Sequence, residues 1–482
     1  MTDPVESESS SQLGTGPTRS RTPGRRAILA VLGALTVLAL AASLIQSTAA
    51  RAPLPVPDVA PPGDAIDAAW HCAEGTAGAN GRADETLLIA NLDDASAQVT
   101  VSVAIAGQRT ERTVTVEGKQ QRRVKVSDIA SGTEPGVTVY SRGGRITVEH
   151  QLVGANDIAV GPCARESSSS WYFAAGTTVR GAFEWLALYN PYPEGATVDV
   201  EVYTKELSGD ASVDRPSERI NSINVPGYTR VSLPVHERIG RYSATAIAVR
   251  ARFGRIVAER SLVFDNVDGR SGLALSLGAP TLATAQTLAG GRAGEGRSEI
   301  VAVANPGATP ASVRLSYVLE GNLSIEPFEL VVQPRTVAVV DLPNAPKDRY
   351  RAVRVESSTP VVAELRASSA KPQKAVGIAT MMADPVPATR VTFLAARVAA
   401  NSMDHFIMVN PGRRTTSVTV RSLDDTFSPA SFEIGPFGMV EFAAGDVGAQ
   451  VNTAIEIASA EPIVVAHDAD TPGITMSGGI PQ

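Results

Sequence analysis

Residues Leu186–Tyr203 read LALYNPYPEGATVDVEVY: an apolar run, then Asn190-Pro191, then a stretch in which valine alternates with polar residues. The same sentence returns in Ile300–Tyr317, IVAVANPGATPASVRLSY, around Asn305-Pro306. It returns again in Phe406–Val420, FIMVNPGRRTTSVTV, around Asn410-Pro411. Proline lacks the N–H that a sheet ladder needs and forces its predecessor into extended geometry, while asparagine bonds its own turn backbone. Asn-Pro therefore ends one strand, and EGA or GAT turns the chain into the next. The earliest copy has Asn91-Leu92 in this place, so a role that requires the proline is not common to all copies.

Outward from this mark the text is strand-like and repetitive. VTVSVAIA from Val99, TVTVEG from Thr113, GVTVYS from Gly136 and RITVEHQLV from Arg145 alternate apolar and polar residues with period two, as half-buried strands do. Each copy opens on a short element followed by alanine: WHCAEG at Trp70, WYFAAG at Trp171, QTLAGG at Gln286 and TFLAAR at Thr392. Each ends near Glu149, Glu259, Glu364 or His467, which lie 58, 69, 59 and 57 residues after Asn91, Asn190, Asn305 and Asn410. Three landmarks in register four times mark tandem units of about 100 residues. About seven short strands per unit predict an all-β chain of four tandem immunoglobulin-like β-sandwich units. The expected bounds are 70–168, 169–284, 285–389 and 390–482, joined as a rod in which each unit touches its neighbours.

The first 69 residues differ in kind. Residues 1–26 are polar and aperiodic, which predicts a disordered tail. Ala27–Ile45 is a run of 19 residues without a charge, just long enough to cross a bilayer, so one transmembrane helix is expected over 27–46. Arg19, Arg21, Arg25 and Arg26 precede it, which keeps the N-terminus cytoplasmic and exports the remainder. A cleavable signal peptide is the rival reading, through the small residues Ser47–Ala50. The long leader with Asp3, Glu6 and Glu8 favours the uncleaved anchor. Residues 47–69 form a proline-rich stalk. The two cysteines, Cys72 and Cys163, then lie in an oxidising compartment, where a bridge between them would contribute about 4 to 5 kcal/mol in the chain-entropy model.

Across 482 residues the net charge is -7 and no basic cluster lies beyond the N-terminus, which argues against nucleic-acid binding. His71, His150, His236, His405 and His467 stand at no metal-ligand spacing. Asp93-Asp94 and Asp424-Asp425 lack the alternating ligands of a calcium loop, and no nucleophile-elbow, zincin or phosphate-loop motif occurs. No catalytic residue, cofactor or metal is expected. Glu149, Glu259 and Glu364 fall in different units, too far apart in sequence to suggest an acid pair, and read as solvated strand positions. Trp70 and Trp171 could form a carbohydrate platform, but their equivalent placement favours core or inter-unit packing. Asn190, Asn305 and Asn410 are candidate binding residues on the same footing, against a structural role in the turn.

WYFAAG followed by LALYNP resembles the tandem WYFAEG and NPG repeats of bacterial surface proteins. The layout of anchor, stalk and repeats over residues 20–480 resembles an actinobacterial family of membrane-anchored or secreted proteins of unknown function. That resemblance implies a cell-envelope role near membrane glycosyltransferases and carries over no catalytic residue. The expected function is a non-enzymatic, single-pass envelope protein that binds or scaffolds a protein partner, such as a membrane glycosyltransferase, or cell-wall glycan. The alternatives are an envelope glycan hydrolase with a site between units and a passive adhesive or spacer rod.

Overall fold

The computed structural model describes residues 67–482 apart from 79–80, 155–156, 209–210, 322–324, 342–345, 371–375 and 472. The tail (1–26), the anchor (27–46) and the stalk up to residue 66 lie outside the described residues. The last three stalk residues, Asp67–Ala69, already belong to the first strand. Among the described residues no helix is long and apolar enough to cross a membrane.

The first repeat contains β1 (Asp67–Cys72), β2 (Asp84–Asn91), β3 (Ala97–Ile105), β4 (Gln108–Val116), β5 (Gln121–Lys125), β6 (Gly136–Arg142), β7 (Ile146–Val153) and β8 (Ile158–Pro162). They form two antiparallel sheets of order β1-β6-β3-β4 and β5-β2-β7-β8. The second repeat copies this with β9 (Ser170–Gly176), β10 (Ala182–Asn190), β11 (Ala196–Ser208), β12 (Ala211–Val225), β13 (Thr229–Pro234), β14 (Ala244–Phe253), β15 (Val257–Val267) and β16 (Arg270–Leu277). In the third, β17 (Ala283–Leu288), β18 (Arg297–Asn305), β19 (Ala311–Val318), β20 (Phe328–Val332) and β21 (Thr336–Val340) precede one long strand, β22 (Ala352–Ser369), and β23 (Gly377–Met382). The fourth has β24 (Ala388–Phe393), β25 (Met403–Val409), β26 (Thr416–Ser422), β27 (Ala430–Ile434), β28 (Met439–Ala443), β29 (Ile455–Thr471), β30 (Gly473–Gly478) and β31 (Ile480–Pro481). Strands β22 and β29 each run through both sheets of their sandwich.

The chain is all-β, as its alternation predicts, but the immunoglobulin-like order is not what forms. In an immunoglobulin sandwich the first strand borders the second and the last borders the sixth. Here β1 borders β6, while β2 lies between β5 and β7.

The rod is also corrected. β8 packs on β16, β16 on β23, β23 on β30, and β30 on β8, so the four sandwiches close into a propeller-like ring with these strands innermost. The described residues form one compact body. The reason lies in the strands that share a sheet with the inner ones. Outer strands β19 and β26 alternate buried and exposed positions, but β2 is buried at every position after its first. A strand covered on both faces needs a second sandwich against it. Leu88, Ala90, Leu394 and Ala395 share one apolar cluster between repeats four and one, and Ala174, Ala175, Ala302 and Ala304 share another between repeats two and three.

Glycine sets how closely the inner strands meet. A Cβ on Gly272 would lie 2.9 Å from Gly377 Cα, one on Gly377 2.6 Å from Ile474 N, and one on Gly473 3.0 Å from Asp157 Cβ. Closure is completed by β31, which pairs with β24 while Ile480 enters the apolar core of the first repeat. Cys72 and Cys163 are disulfide-bonded across 91 residues, joining β1 to the segment after β8.

Gly377→Val is expected to lower the stability of the ring by about 3 kcal/mol or more through overpacking against backbone that cannot move aside. Gly435→Ala, where a new Cβ meets nothing within 4 Å, should leave the unfolding midpoint nearly unchanged. Thermal unfolding of the two variants beside the parent checks this.

Candidate functional site

The marked asparagines are buried and share one geometry. Asn305 Nδ2 donates to Thr309 O (2.8 Å) and Val332 O (3.0 Å), and Oδ1 accepts from Gly307 N (3.0 Å). Asn190 makes the same three bonds with Glu194 O, Val225 O and Tyr192 N. Asn410 makes them with Arg414 O, Ile434 O and Gly412 N, and Asn91 with Ala95 O, Val116 O and Asp93 N. Each amide ties its own turn to a facing strand, spends both of its N–H groups in doing so, and is buried. The Asn91 turn forms without proline.

Trp70 and Trp171 are each only 2% exposed, so neither offers a ring face to a sugar. Trp70 Nε1 donates to Ile146 O (3.2 Å) and Trp171 Nε1 to Ile256 O (2.8 Å). In the third repeat Gln286 Nε2 makes the corresponding bond to Val361 O (2.8 Å), which accounts for a glutamine at a tryptophan position. Each accepting carbonyl lies three residues before one of the recurring glutamates.

Those glutamates are not solvated. Glu149, Glu259 and Glu364 are buried, and each reaches across a seam to the preceding sandwich in the ring. Glu259 Oε2 accepts Ala73 N (2.9 Å) and Glu74 N (2.6 Å) from WHCAEG, and Glu364 Oε2 accepts Ala174 N (2.9 Å) and Ala175 N (2.7 Å) from WYFAAG. Glu149 Oε2 accepts Leu394 N (3.1 Å), closing the ring from the first sandwich to the last. The bonded pair of residues places Leu394, not Ala395, opposite Ala73 and Ala174. The fourth opening element therefore begins at Val391, one residue before the sequence register. Strand pairing shifts the partner as well: Glu149, Glu259 and Glu364 pair with Leu88, Ala187 and Ala302, and the corresponding residue of β29, facing Ile407, is Ala466 rather than His467. Ala466 meets Gly290 across the third seam.

A second set of buried acids stands at the start of each second strand: Glu85, Glu184, Glu299 and Asp404. In the first three repeats the glycine ending the opening element passes directly over the acid. A Cβ on Gly75 would lie 2.7 Å from Glu85 Cβ, and one on Gly291 2.7 Å from Glu299 Oε2. His150 Nδ1 binds Glu85 (3.0 Å), Arg260 lies 3.7 Å from Glu184 and 2.5 Å from Glu364, Arg351 binds Glu299 (2.6 Å), and His467 binds Asp404 (3.0 Å). Thus acids from different repeats do converge, which their spacing along the chain conceals. Burial pushes the Glu149 carboxyl up to about 8, against the lowering effect of the Leu394 and Ala395 N–H groups and of His150. Burial likewise brings the Arg366 guanidinium down to about 10, with Arg260 beside it. These charges hold the seams together and are closed to a substrate.

The accessible chemistry lies in a cleft of about 660 Å³ lined by Arg82, Asp157, Phe183, Trp185, Asp265 and Ser271, among others. Phe183 and Trp185 are alternate residues of β10 and so share a face. Phe183 is 38% exposed and Trp185 half-buried. The Arg82 guanidinium stacks 4.0 Å over Trp185, and His236 meets both aromatic rings edge-on at 5.2 Å. Trp185 Nε1 makes no hydrogen bond among the described residues. Burial raises the Asp157 carboxyl above the ordinary carboxylate range. Sequence reading passes over Trp185 because it is the one tryptophan outside an opening element. The available signal is that the two residues flanking the buried acid Glu184 are aromatic here, while Asp84 and Thr86 flank Glu85, Ser298 and Ile300 flank Glu299, and Met403 and His405 flank Asp404.

Asn305→Ala, which strands the buried Val332 carbonyl, is expected to cost about 1 to 3 kcal/mol in urea unfolding. Glu364→Ala leaves Arg260 and two seam N–H groups without their acceptor and should cost about 3 to 5 kcal/mol in the same assay. A loss below 1 kcal/mol would contradict the seam assignment.

No curated protein matches the chain. Among solved structures it is similar to Thermotoga maritima 1070, at 20% identity and a TM-score of 0.20 over 21% of this chain and 92% of that one. It is also similar to the Anabaena sensory rhodopsin transducer, at 23% identity and a TM-score of 0.16 over 17% of this chain and 90% of that one. A family model matches residues 155–430, more than half of the sequence, and by that match the chain belongs to the family of unknown function DUF5719.

Proposed function

We propose that this chain is a non-enzymatic, membrane-anchored envelope protein of the kind found in the actinobacterial surface proteins it resembles. Its ring, held outside the membrane, binds a saccharide in the Phe183–Trp185 cleft. The carrying observation is that cleft: two adjacent, partly exposed aromatic side chains at positions where the fold itself does not ask for aromatics. An apolar sugar face lies against such rings, while Asp157, Asp265 and the indole N–H bond its hydroxyls. The charge-free run of residues 27–45 supports the anchor, and the Cys72–Cys163 disulfide supports an oxidising compartment. In this reading the ring presents glycan to, or positions it beside, a membrane glycosyltransferase.

A second reading, hydrolysis of envelope glycan, draws on one observation: Asp157 and Asp265 line the same cleft and burial raises Asp157, as a general acid requires. Binding is favoured because the Asp157 carboxylate is engaged by the Leu273 backbone N–H of β16, an anchoring role between the first two repeats.

The test is titration of the full-length, detergent-solubilised protein with soluble envelope oligosaccharides, read by tryptophan fluorescence and calorimetry. Binding is expected to perturb Trp185 emission, and Phe183→Ala or Trp185→Ala should weaken it about tenfold or more. Unchanged affinity in both variants would end the proposal. Release of reducing ends that disappears in Asp157→Asn would replace it with the hydrolase.

A further inference from the structure

We propose that the Cys72–Cys163 disulfide is the oxidised form of a buried metal site. Once reduced, the two thiolates and His150 bind a divalent ion of the zinc class. Among the described residues one group offers three ligand atoms of metal-binding type close together: Cys72 Sγ, Cys163 Sγ and a ring nitrogen of His150, all within 4.8 Å of one another. They come from three places in the first repeat. Cys72 ends β1, His150 lies in the middle of β7, and Cys163 follows β8, where its N–H donates to Val148 O (3.2 Å) and sets it beside β7.

The imidazole supplies the independent argument. His150 is fully buried, and its Nδ1–H donates to the Glu85 carboxylate at 3.0 Å. Its Nε2 is buried and has no hydrogen-bond partner. An imidazole with one nitrogen on a carboxylate and the other unpaired is the arrangement that orients metal-ligating histidines. Glu259 adds an oxygen. Its Oε2 lies 3.6 Å from His150 Nε2, too far for a hydrogen bond but close to the separation of about 3.3 to 3.8 Å between two ligands on one tetrahedral ion. Glu259 Oε1 is likewise buried without a partner. Two sulfurs, one nitrogen and a neighbouring carboxylate form a soft set that suits zinc better than calcium or magnesium.

The chemistry balances without an unnamed partner. A dithiol reductant passes two electrons and two protons to the S–S bond, gives two cysteine thiols and leaves as its own disulfide. The incoming divalent ion then displaces the two thiol protons. A disulfide oxidant reverses the sequence: it takes two electrons from the thiolates and two protons from water to become a dithiol, the S–S bond re-forms and the ion is released. The first sandwich therefore has two alternative staples at one point, one covalent and one coordinate.

The experiment uses the full-length protein reduced with a phosphine under argon and titrated with cobalt(II), then with zinc(II). One cobalt per chain is expected, with thiolate-to-cobalt charge-transfer absorption and the visible bands of tetrahedral cobalt, both displaced by zinc. The oxidised protein should show neither. Cys72→Ser with Cys163→Ser should abolish the spectrum, and Glu85→Gln should weaken binding ten- to a hundredfold. Zinc should also raise the Tm of the reduced protein. A reduced protein whose spectrum and Tm ignore both metals overturns the proposal, whether it stays folded or unfolds. So does cobalt binding that survives removal of both cysteines.

Discussion

A carboxylate buried at a strand-to-strand seam, accepting two backbone N–H groups from the neighbouring sandwich, is the constraint on which this ring depends. The end of each opening element turns out of its own ladder, and its next N–H groups would otherwise be buried without acceptors, at about 1 to 3 kcal/mol each. A glutamate from the following repeat reaches them at three of the four seams. Burying that charge has a cost of its own, which each seam offsets differently. Glu364 has Arg260 at 2.5 Å, Glu259 has His150 at 3.6 Å, and Glu149 has no cation in bonding range and is driven toward its neutral form. At the remaining seam the carboxylate is replaced by Ala466. There Arg297, paired with Asp468 at 2.6 Å and Asp470 at 2.7 Å, links β18 to β29 instead. One geometric problem thus has four electrostatic solutions.

This clasp works only if the sandwiches approach closely, which explains the small residues. Backbone N–H donors meet a side-chain carboxylate only where the two strands come close, and of the donors at these contacts Ala73, Ala174, Ala175 and Ala395 carry no more than a methyl group. Gly75 and Gly291, with φ of 122° and 124°, also adopt backbone that side-chain-bearing residues avoid. The Ala-x-Gly ending of WHCAEG and QTLAGG is thus a packing requirement imposed by a neighbouring repeat.

What the sequence made legible follows from how local each interaction is. The asparagine turn is readable because its bonds close within four residues and with a facing strand, so residue type and spacing carry it. The disulfide is readable because two cysteines admit one pairing. The ring is harder to read, since it is a relation between repeats. Its trace is nevertheless present in LLIAN, LALYN and VAVAN, continuous apolar runs where a strand with one solvated face would alternate. The glutamates repeat visibly, but residue type suggests solvent for an unpaired carboxylate, and only the neighbour's N–H groups reverse that inference. The fourth element slipped by one residue because Phe393 and Leu394 are both apolar and give alternation nothing to choose between.

Fourfold repetition also separates shape from function. A feature found in every repeat, such as the asparagine turn or the acid at the start of the second strand, is accounted for by the ring and needs no ligand. A feature found once has no such explanation. Phe183 and Trp185 occupy strand positions filled elsewhere by Asp84, Thr86, Ser298 or Ile300, and the seam beside them meets Trp185 through the Arg82 guanidinium stacked on its ring. Cys72 likewise takes the core place held by Phe173, Leu288 and Phe393, where a large apolar side chain serves the fold equally well. Departures from the repeat that leave the architecture intact are therefore the places that folding alone does not explain. Both of them fall in the first two sandwiches, on either side of the seam that joins Glu74, Arg230, His150 and Glu259.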